Sequence, residues 1–265
     1  MTPSVSIAVH GASGRMGQAI LRVALGDPQV RIAAAIVKSR SPWDAKPLRD
    51  QLGEEAGDLA YSSSFDRPAA VLVDFSIAQA FDEALSAAVS RKIAFVSGTT
   101  GLSAEQRTSM QRAAATIPVL WSANFSIGVA VLTRLAREAA RALRDWDCEI
   151  VEAHHRDKKD APSGTALALG RAIAEERGVE FDDVAQFDRT DANAPRDPSA
   201  IGFAVVRGGD IVGEHTVLLA GDGERIELTH RATDRDIFAR GALRAAQWIA
   251  ARPPGIYSLA DVIER

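Results

Sequence analysis

The chain contains one cysteine, Cys148, in 265 residues. An internal disulfide is therefore excluded, and the composition fits a reducing cytoplasm. Aromatic residues make up only 6% and are scattered, with no stacking stripe for nucleic-acid bases. No apolar run approaches the ~20 residues of a membrane span. The start, Met1-Thr2-Pro3-Ser4, lacks the basic and apolar regions of a secretory signal. No large excess of one charge is present either. A net charge of −4 gives no footprint for nucleic acid or a membrane surface. Internal repeats and low-complexity segments are also missing. What is present is an ordinary globular composition, 46% hydrophobic and 25% charged, sufficient for one large domain or two modest ones.

The first half alternates apolar runs with helical periodicity. Val5–Val9, Val30–Val37, Ala70–Phe75, Ile93–Ser97 and Pro118–Trp121 read as buried strands. Arg15–Leu25 and Ala78–Ser90 have helical spacing, and Ser103 to Gln106 has capping-box spacing for a further helix. This alternation predicts a Rossmann-type, doubly wound parallel sheet. Residues 38–62 read as loop. After about residue 126 the style changes. Helices are predicted at Ile127–Leu143, Thr165–Arg177 and Asp234–Ala251, and a strand at Cys148–His155. Residues 182–199 read as a long loop. Ile201–Arg207, Asp210–Leu219 and Arg225–Arg231 read as strands joined by hairpin turns at Gly208-Gly209 and Gly221-Asp222-Gly223. The expectation is a smaller α+β domain with a mixed or antiparallel sheet. The boundaries are 1–126, 127–233, and 234–265 for C-terminal helices packing back on the first domain.

Gly11-Ala12-Ser13-Gly14-Arg15-Met16-Gly17 follows the first strand and opens the first helix. Glycines let backbone approach a pyrophosphate, and the helix start offers N–H groups and a positive dipole end. Ala12 stands where the usual fingerprint has its first glycine. The alternative is a plain strand–helix turn, but the position at the first strand favours cofactor binding. A ribose-binding acid is expected ~20 residues further on. Here Ile36-Val37-Lys38-Ser39-Arg40 offers cations instead, which suits a 2′-phosphate and so NADPH, or else a solvated basic loop. Gly98-Thr99-Thr100-Gly101 and Ser122-Ala123-Asn124-Phe125 lie at strand ends on the ligand edge of such a sheet. Each alone reads as a plain turn rather than a site.

His154-His155-Arg156-Asp157-Lys158-Lys159 packs two imidazoles and three cations into six residues, and Ser163-Gly164-Thr165 then starts a helix. This can hold an anion and deliver a proton. Hydride addition to an unsaturated carbon leaves electron density to be protonated, and a histidine with pKa near ~6.5 suits that step. Nearby cations would lower that pKa and a bound dianion would restore it. Strand alternation points His154 and His155 apart, and no third ligand is suitably spaced, so no metal site is expected. Cys148 reads as a buried small residue. His215 and His230 read as structural, and His10 as packing beside the glycine loop.

These motifs carry a resemblance over nearly the whole chain. Glu152–Thr165 follows the pattern E-x-H-H-x-x-K-x-D-x-P-S-G-T. It is joined by the glycine loop, the Gly98–Gly101 turn, Ala123-Asn124-Phe125-Ser126 and Ile211-Val212-Gly213-Glu214-His215-Thr216. The chain resembles the 4-hydroxy-tetrahydrodipicolinate reductase (dihydrodipicolinate reductase) family of bacterial lysine and diaminopimelate synthesis. The resemblance implies a homotetramer assembled through the C-terminal sheets, with two domains that close on each other. It implies reduction of a small dicarboxylate ring by NAD(P)H with loss of water. His154 would be the proton donor and Lys158 the second catalytic group. His155, Gly164 and Thr165 would bind substrate. Gly11, Ala12, Ser13, Gly14, Arg15, Met16, Lys38, Gly98, Thr99, Thr100, Ser122, Ala123, Asn124 and Phe125 would hold the cofactor. Val37 and Lys38 depart from members that carry an acid followed by Arg and use both cofactors, so NADPH is preferred and NADH stays possible. The 189–199 loop has few of the family's glycines.

Competing readings are weaker on residues. A semialdehyde dehydrogenase needs a nucleophilic Cys in a turn, and Cys148 falls in a strand candidate. A short-chain dehydrogenase needs Tyr-x-x-x-Lys, but Tyr61 is followed by Phe65 and Tyr257 by Asp261. A non-catalytic NADPH sensor has no need of His154 with Lys158.

Overall fold

The computed structural model describes residues 4–190 and 195–264. Met1-Thr2-Pro3 of the leader reading and residues 191–194 of the predicted loop lie outside the described residues. The chain divides into two units, one running through Ile127 and resuming at Asp236, the other Gly128–Arg235.

The first unit is built on seven parallel strands. β1 (Val5–His10) lies in the interior of the sheet, with Ile7, Ala8 and Val9 wholly buried. Such continuous apolar runs require cover on both faces, which is the condition of a parallel sheet. On one side of β1 stand β2 (Val30–Ile36) and β3 (Tyr61–Ser62). On the other stand β4 (Val71–Asp74), β5 (Ala94–Ser97), β6 (Pro118–Trp121) and β12 (Gly255–Tyr257). The direction of winding therefore reverses between β1 and β4, and ligands bind beyond the carboxyl ends of strands at such a switch point. Helices α3 (Ala78–Arg91) and α4 (Ala104–Ala113) pack on one face, where Phe81 and Phe95 meet edge-on. The capping box at Ser103 and Gln106 forms as its spacing predicts. Helices α1 (Arg15–Leu25) and α8 (Asp236–Ile249) pack together and against the sheet.

Two readings need correction here. The stretch 38–62 is not all loop. It holds α2 (Arg49–Leu52), a 3-10 turn at Glu54–Ala56 and β3, and is pinned by buried Leu48 and Tyr61. The terminal segment adds edge strand β12 and α9 (Leu259–Ile263) as well as α8.

The second unit has a five-stranded mixed sheet, β11-β10-β7-β9-β8. Central β7 (Asp147–His154) pairs antiparallel with β10 (Gly213–Gly221) and parallel with β9 (Ile201–Arg207). The predicted hairpin at Gly208-Gly209 is thus not formed, because β7 is inserted between β9 and β10. The hairpin of β10 with β11 (Glu224–Ala232) does form. Residues after Phe181 are not all loop: α7 (Phe181–Val184) and edge strand β8 (Ala185–Gln186) begin that stretch. Helices α5 (Ile127–Ala142) and α6 (Gly164–Arg177) cover one face of the sheet, and are tied by ion pairs from Arg137 and Arg141 to Glu175 and Glu176.

Candidate active site

At the switch point of the first unit, three strands end on polar residues in register: His10 opposite Asp74, and Asp74 opposite Ser97. Asp74 is fully buried and gathers hydrogen bonds there. His10 Nδ1 donates at 2.9 Å, Ser76 Oγ at 2.6 Å, Ser97 Oγ at 2.9 Å and Thr99 Oγ1 at 2.8 Å. Burial pushes the Asp74 carboxyl up. The hydrogen bonds from His10 and Ser76, with the charge of His10, outweigh it and hold the group below its ordinary value. The knot fixes the start of the Gly98–Gly101 turn relative to the end of β1.

The glycine loop is shaped by close approach. Gly11 has φ of +75°, and a Cβ there would meet the Phe75 carbonyl oxygen at 2.8 Å. A Cβ on Gly17 would lie 2.3 Å from the Gly11 oxygen. Gly14 precedes α1 without a side-chain cap, and it and Arg15 are exposed. An uncapped helix start beside exposed backbone fits a pyrophosphate. Lys38 and Arg40 are exposed just past β2.

The other cofactor expectations divide. Thr99 spends its hydroxyl on Asp74 and its carbonyl on Trp121 Nε1, so its side chain is structural. Phe125 is buried against Phe75, and its carbonyl packs where a Cβ on Gly241 would be. Thr100 and Ala123 are exposed. Ser122 Oγ donates to the Asn124 carbonyl, and the Asn124 side-chain oxygen accepts from Ser126 N–H. These bonds hold the turn itself in shape.

In the second unit, β7 alternates with Cys148, Ile150 and Glu152 buried, and His154 follows on that face as the strand ends. Glu152 is 1% exposed. A buried carboxylate must be paired, and four donors reach it. Arg207 at the end of β9 binds both oxygens at 2.8 and 2.9 Å, Ser163 N–H donates at 3.0 Å, and His154 Nδ1 at 2.5 Å. Burial raises the Glu152 pKa, but Arg207, His154 and the Ser163 amide together bring it below the ordinary value. Since the carboxylate only accepts, Nδ1 of His154 carries the hydrogen and Nε2 is the free nitrogen.

Burial is the first cause lowering the His154 pKa, opposed by Glu152 and aided by Lys158 and Arg207. The predicted direction holds, but the leading cause is desolvation rather than neighbouring cations. Lys158 Nζ lies 2.8 and 2.9 Å from the Asp160 carboxylate, a local clamp. Ser163 caps α6, accepting from Ala166 N–H, and its Oγ lies 3.0 Å from His215 Nε2. Gly164 and Thr165 form the first turn of α6, and a Cβ on Gly164 would meet open space. His155 lies just beyond β7, partly exposed.

His215 is buried, meets the His154 ring edge-on at 5.1 Å, and is pushed down to about 4, chiefly by burial. Among the described residues, Glu152, His154 and His215 bring ligand-type atoms within 4.8 Å. Sequence spacing misses this trio because His215 arrives from another strand. Arg207 fills the carboxylate and opposes a cation, so the trio fits a hydrogen-bonded network better than a metal. Sequence reasoning also assigned no role to Glu152, Arg207, Asp160 or Asp74. The usable signal was an acid closing a buried apolar run in Val71–Asp74, and an acid on the buried face of an alternating strand in Cys148–Glu152. Burial pushes the Cys148 thiol up to about 11, which removes it as a nucleophile.

The family model described as dihydrodipicolinate reductase, N-terminus, matches residues 5–125, and that for the C-terminus matches residues 128–263. A 4-hydroxy-tetrahydrodipicolinate reductase of Stenotrophomonas maltophilia is 48% identical over 257 residues, spanning 97% of this chain and 96% of its own. One of Halorhodospira halophila is 43% identical over 272 residues, spanning 98% and 99%. A solved dipicolinate-bound dihydrodipicolinate reductase from Paenisporosarcina sp. TG-14 shares the fold with a TM-score of 0.79 at 21% identity, over 98% of this chain and 100% of that one. The chain belongs to the dihydrodipicolinate reductase family of nicotinamide-dependent oxidoreductases.

Proposed function

We propose that this chain reduces 4-hydroxy-tetrahydrodipicolinate to tetrahydrodipicolinate with loss of water, in the diaminopimelate route to lysine, with NADPH as preferred cofactor. The observation that carries this reading is His154 held by Glu152 at the end of β7, beside Lys158 and the start of α6. A bound nicotinamide supplies the hydride. His154 holds the balancing proton on Nε2. Lys158, released from Asp160, is the second catalytic group, and His155 with the first turn of α6 at Gly164 and Thr165 binds the carboxylates. A dianion there favours the protonated imidazole, offsetting the burial that keeps it neutral beforehand. The acid is thus charged by its own substrate.

For the cofactor, residues 11–16 hold the pyrophosphate and Lys38 the 2′-phosphate. Gly98, Thr100, Ser122, Ala123 and Asn124 line the nicotinamide half, while Thr99 and Phe125 contribute backbone only. We assign the enzyme to the cytoplasm, consistent with one buried cysteine. We also assign it a homotetrameric state built on the second unit's sheet.

The test is NADPH oxidation with freshly generated substrate, run also with NADH. Turnover with a kcat loss of about 100-fold or more in His154→Gln is expected. Tight NADPH binding without turnover would refute the reading. Lys38→Glu should raise KM for NADPH far more than for NADH, and equal effects would remove Lys38 from the phosphate site.

A further inference from the structure

We propose that Glu152 is a positioning residue of this reaction: its carboxylate holds the His154 ring through Nδ1–H and leaves Nε2 as the nitrogen that carries the transferred proton. The proposal rests on the reading of His154 as proton donor.

The geometry is directional. Glu152 and His154 are two residues apart on one face of β7, so the carboxylate sits beside the ring. The contact is 2.5 Å to Nδ1. Glu152 is itself immobilised by the Arg207 fork and by the Ser163 amide. A ring bonded at Nδ1 to a fixed acceptor has one neutral tautomer and one orientation, as in carboxylate–histidine pairs elsewhere. The same Ser163 amide links this hold to the start of α6, so the ring and the proposed carboxylate-binding turn are set by one group. Arg207 also donates to the Asp160 carbonyl at 2.6 Å, tying in the loop that bears Lys158.

Other charges face the pair. Arg207 comes from β9, Lys158 and Asp160 from the following loop, and His215 from β10. The cations and burial disfavour the imidazolium, and Glu152 is the group that favours it. Removing its charge should therefore move the alkaline decline of kcat/KM to lower pH.

The experiment pairs kinetics of Glu152→Gln with nitrogen-15 NMR of the histidine rings in the wild-type enzyme at neutral pH, with His154 assigned by its loss in His154→Gln. The expected results are a kcat loss of about 100-fold, little change in substrate KM, the shifted pH profile, and a wild-type His154 proton on Nδ1. A kcat within about threefold of wild type, a pure KM effect, or a wild-type proton on Nε2 with Nδ1 bare would overturn the proposal. Should Glu152→Gln fail to fold, the wild-type spectrum decides alone. If His154→Gln keeps full activity, the donor reading fails instead, and the spectrum still reports how Glu152 holds the ring.

Discussion

At the scale of single residues, the second unit keeps an acid and two histidines in a place that water scarcely reaches. His215 lies near 4 in the folded chain against 6.5 for the free side chain. As pH falls below about 6.5 the unfolded chain takes up this proton first, so folding stability declines until about pH 4 and then levels. The loss is about 3 kcal/mol from this one group. His154 is depressed too and adds to the loss in the same direction. Glu152 acts lower: its depressed carboxyl stabilises the fold above the ordinary carboxylate range, and that contribution goes as pH falls through its folded value. Melting curves should therefore show a steeper fall from neutral pH to about 4 in wild type than in His215→Gln. Parallel pH curves for the two proteins would refute this.

At the scale of elements, the glycine loop offers a contrast between two neighbours. Gly17→Ala puts a methyl into the Gly11 carbonyl and the Ala12 backbone, neither of which can yield as a flexible side chain could. It should destabilise the first unit by about 1–3 kcal/mol and weaken NADPH binding by about tenfold, or about 1.4 kcal/mol. Gly14→Ala meets only the Gly11 oxygen at 3.2 Å, with an ordinary φ of −74°, and should fold as wild type does. Thermal melting and fluorescence titration would separate the two. The β1–α1 turn was legible in the sequence because every signal for it is local. So were the Ser103 capping box and the β10–β11 hairpin. The place of β7 between β9 and β10 was not, since a Gly-Gly turn permits a hairpin without requiring one. Nor was the role of Glu152 legible: its main partner is 55 residues away, and only the fold brings Arg207 to it. Asp74 was hidden in the same way, its partners lying on other strands.

At the scale of the whole molecule, the second unit's sheet has, among the described residues, helices on one face only. Register sets Val151, Ala153, Ala204, Val206 and Leu218 on the other, with Val151 38% and Val206 47% exposed. The apolar patch around Val151 and Val206, bordered on this face by Glu149, Glu214, Thr216 and Thr229, suits packing against its own copy. Val151→Glu combined with Val206→Glu should give a protomer-sized particle in light scattering, where the proposed tetramer should give four times that mass. An unchanged mass would exclude this face from the assembly.

Central β7 has a further consequence. It is bonded on both flanks along most of its length, whereas β11 is an edge. Its amides should be among the last in this sheet to exchange with deuterium, opening only when the whole unit does. The imidazole at its end is thus anchored to a segment that does not fray. Heat should abolish turnover together with the unit's unfolding, with no earlier loss from local melting around His154.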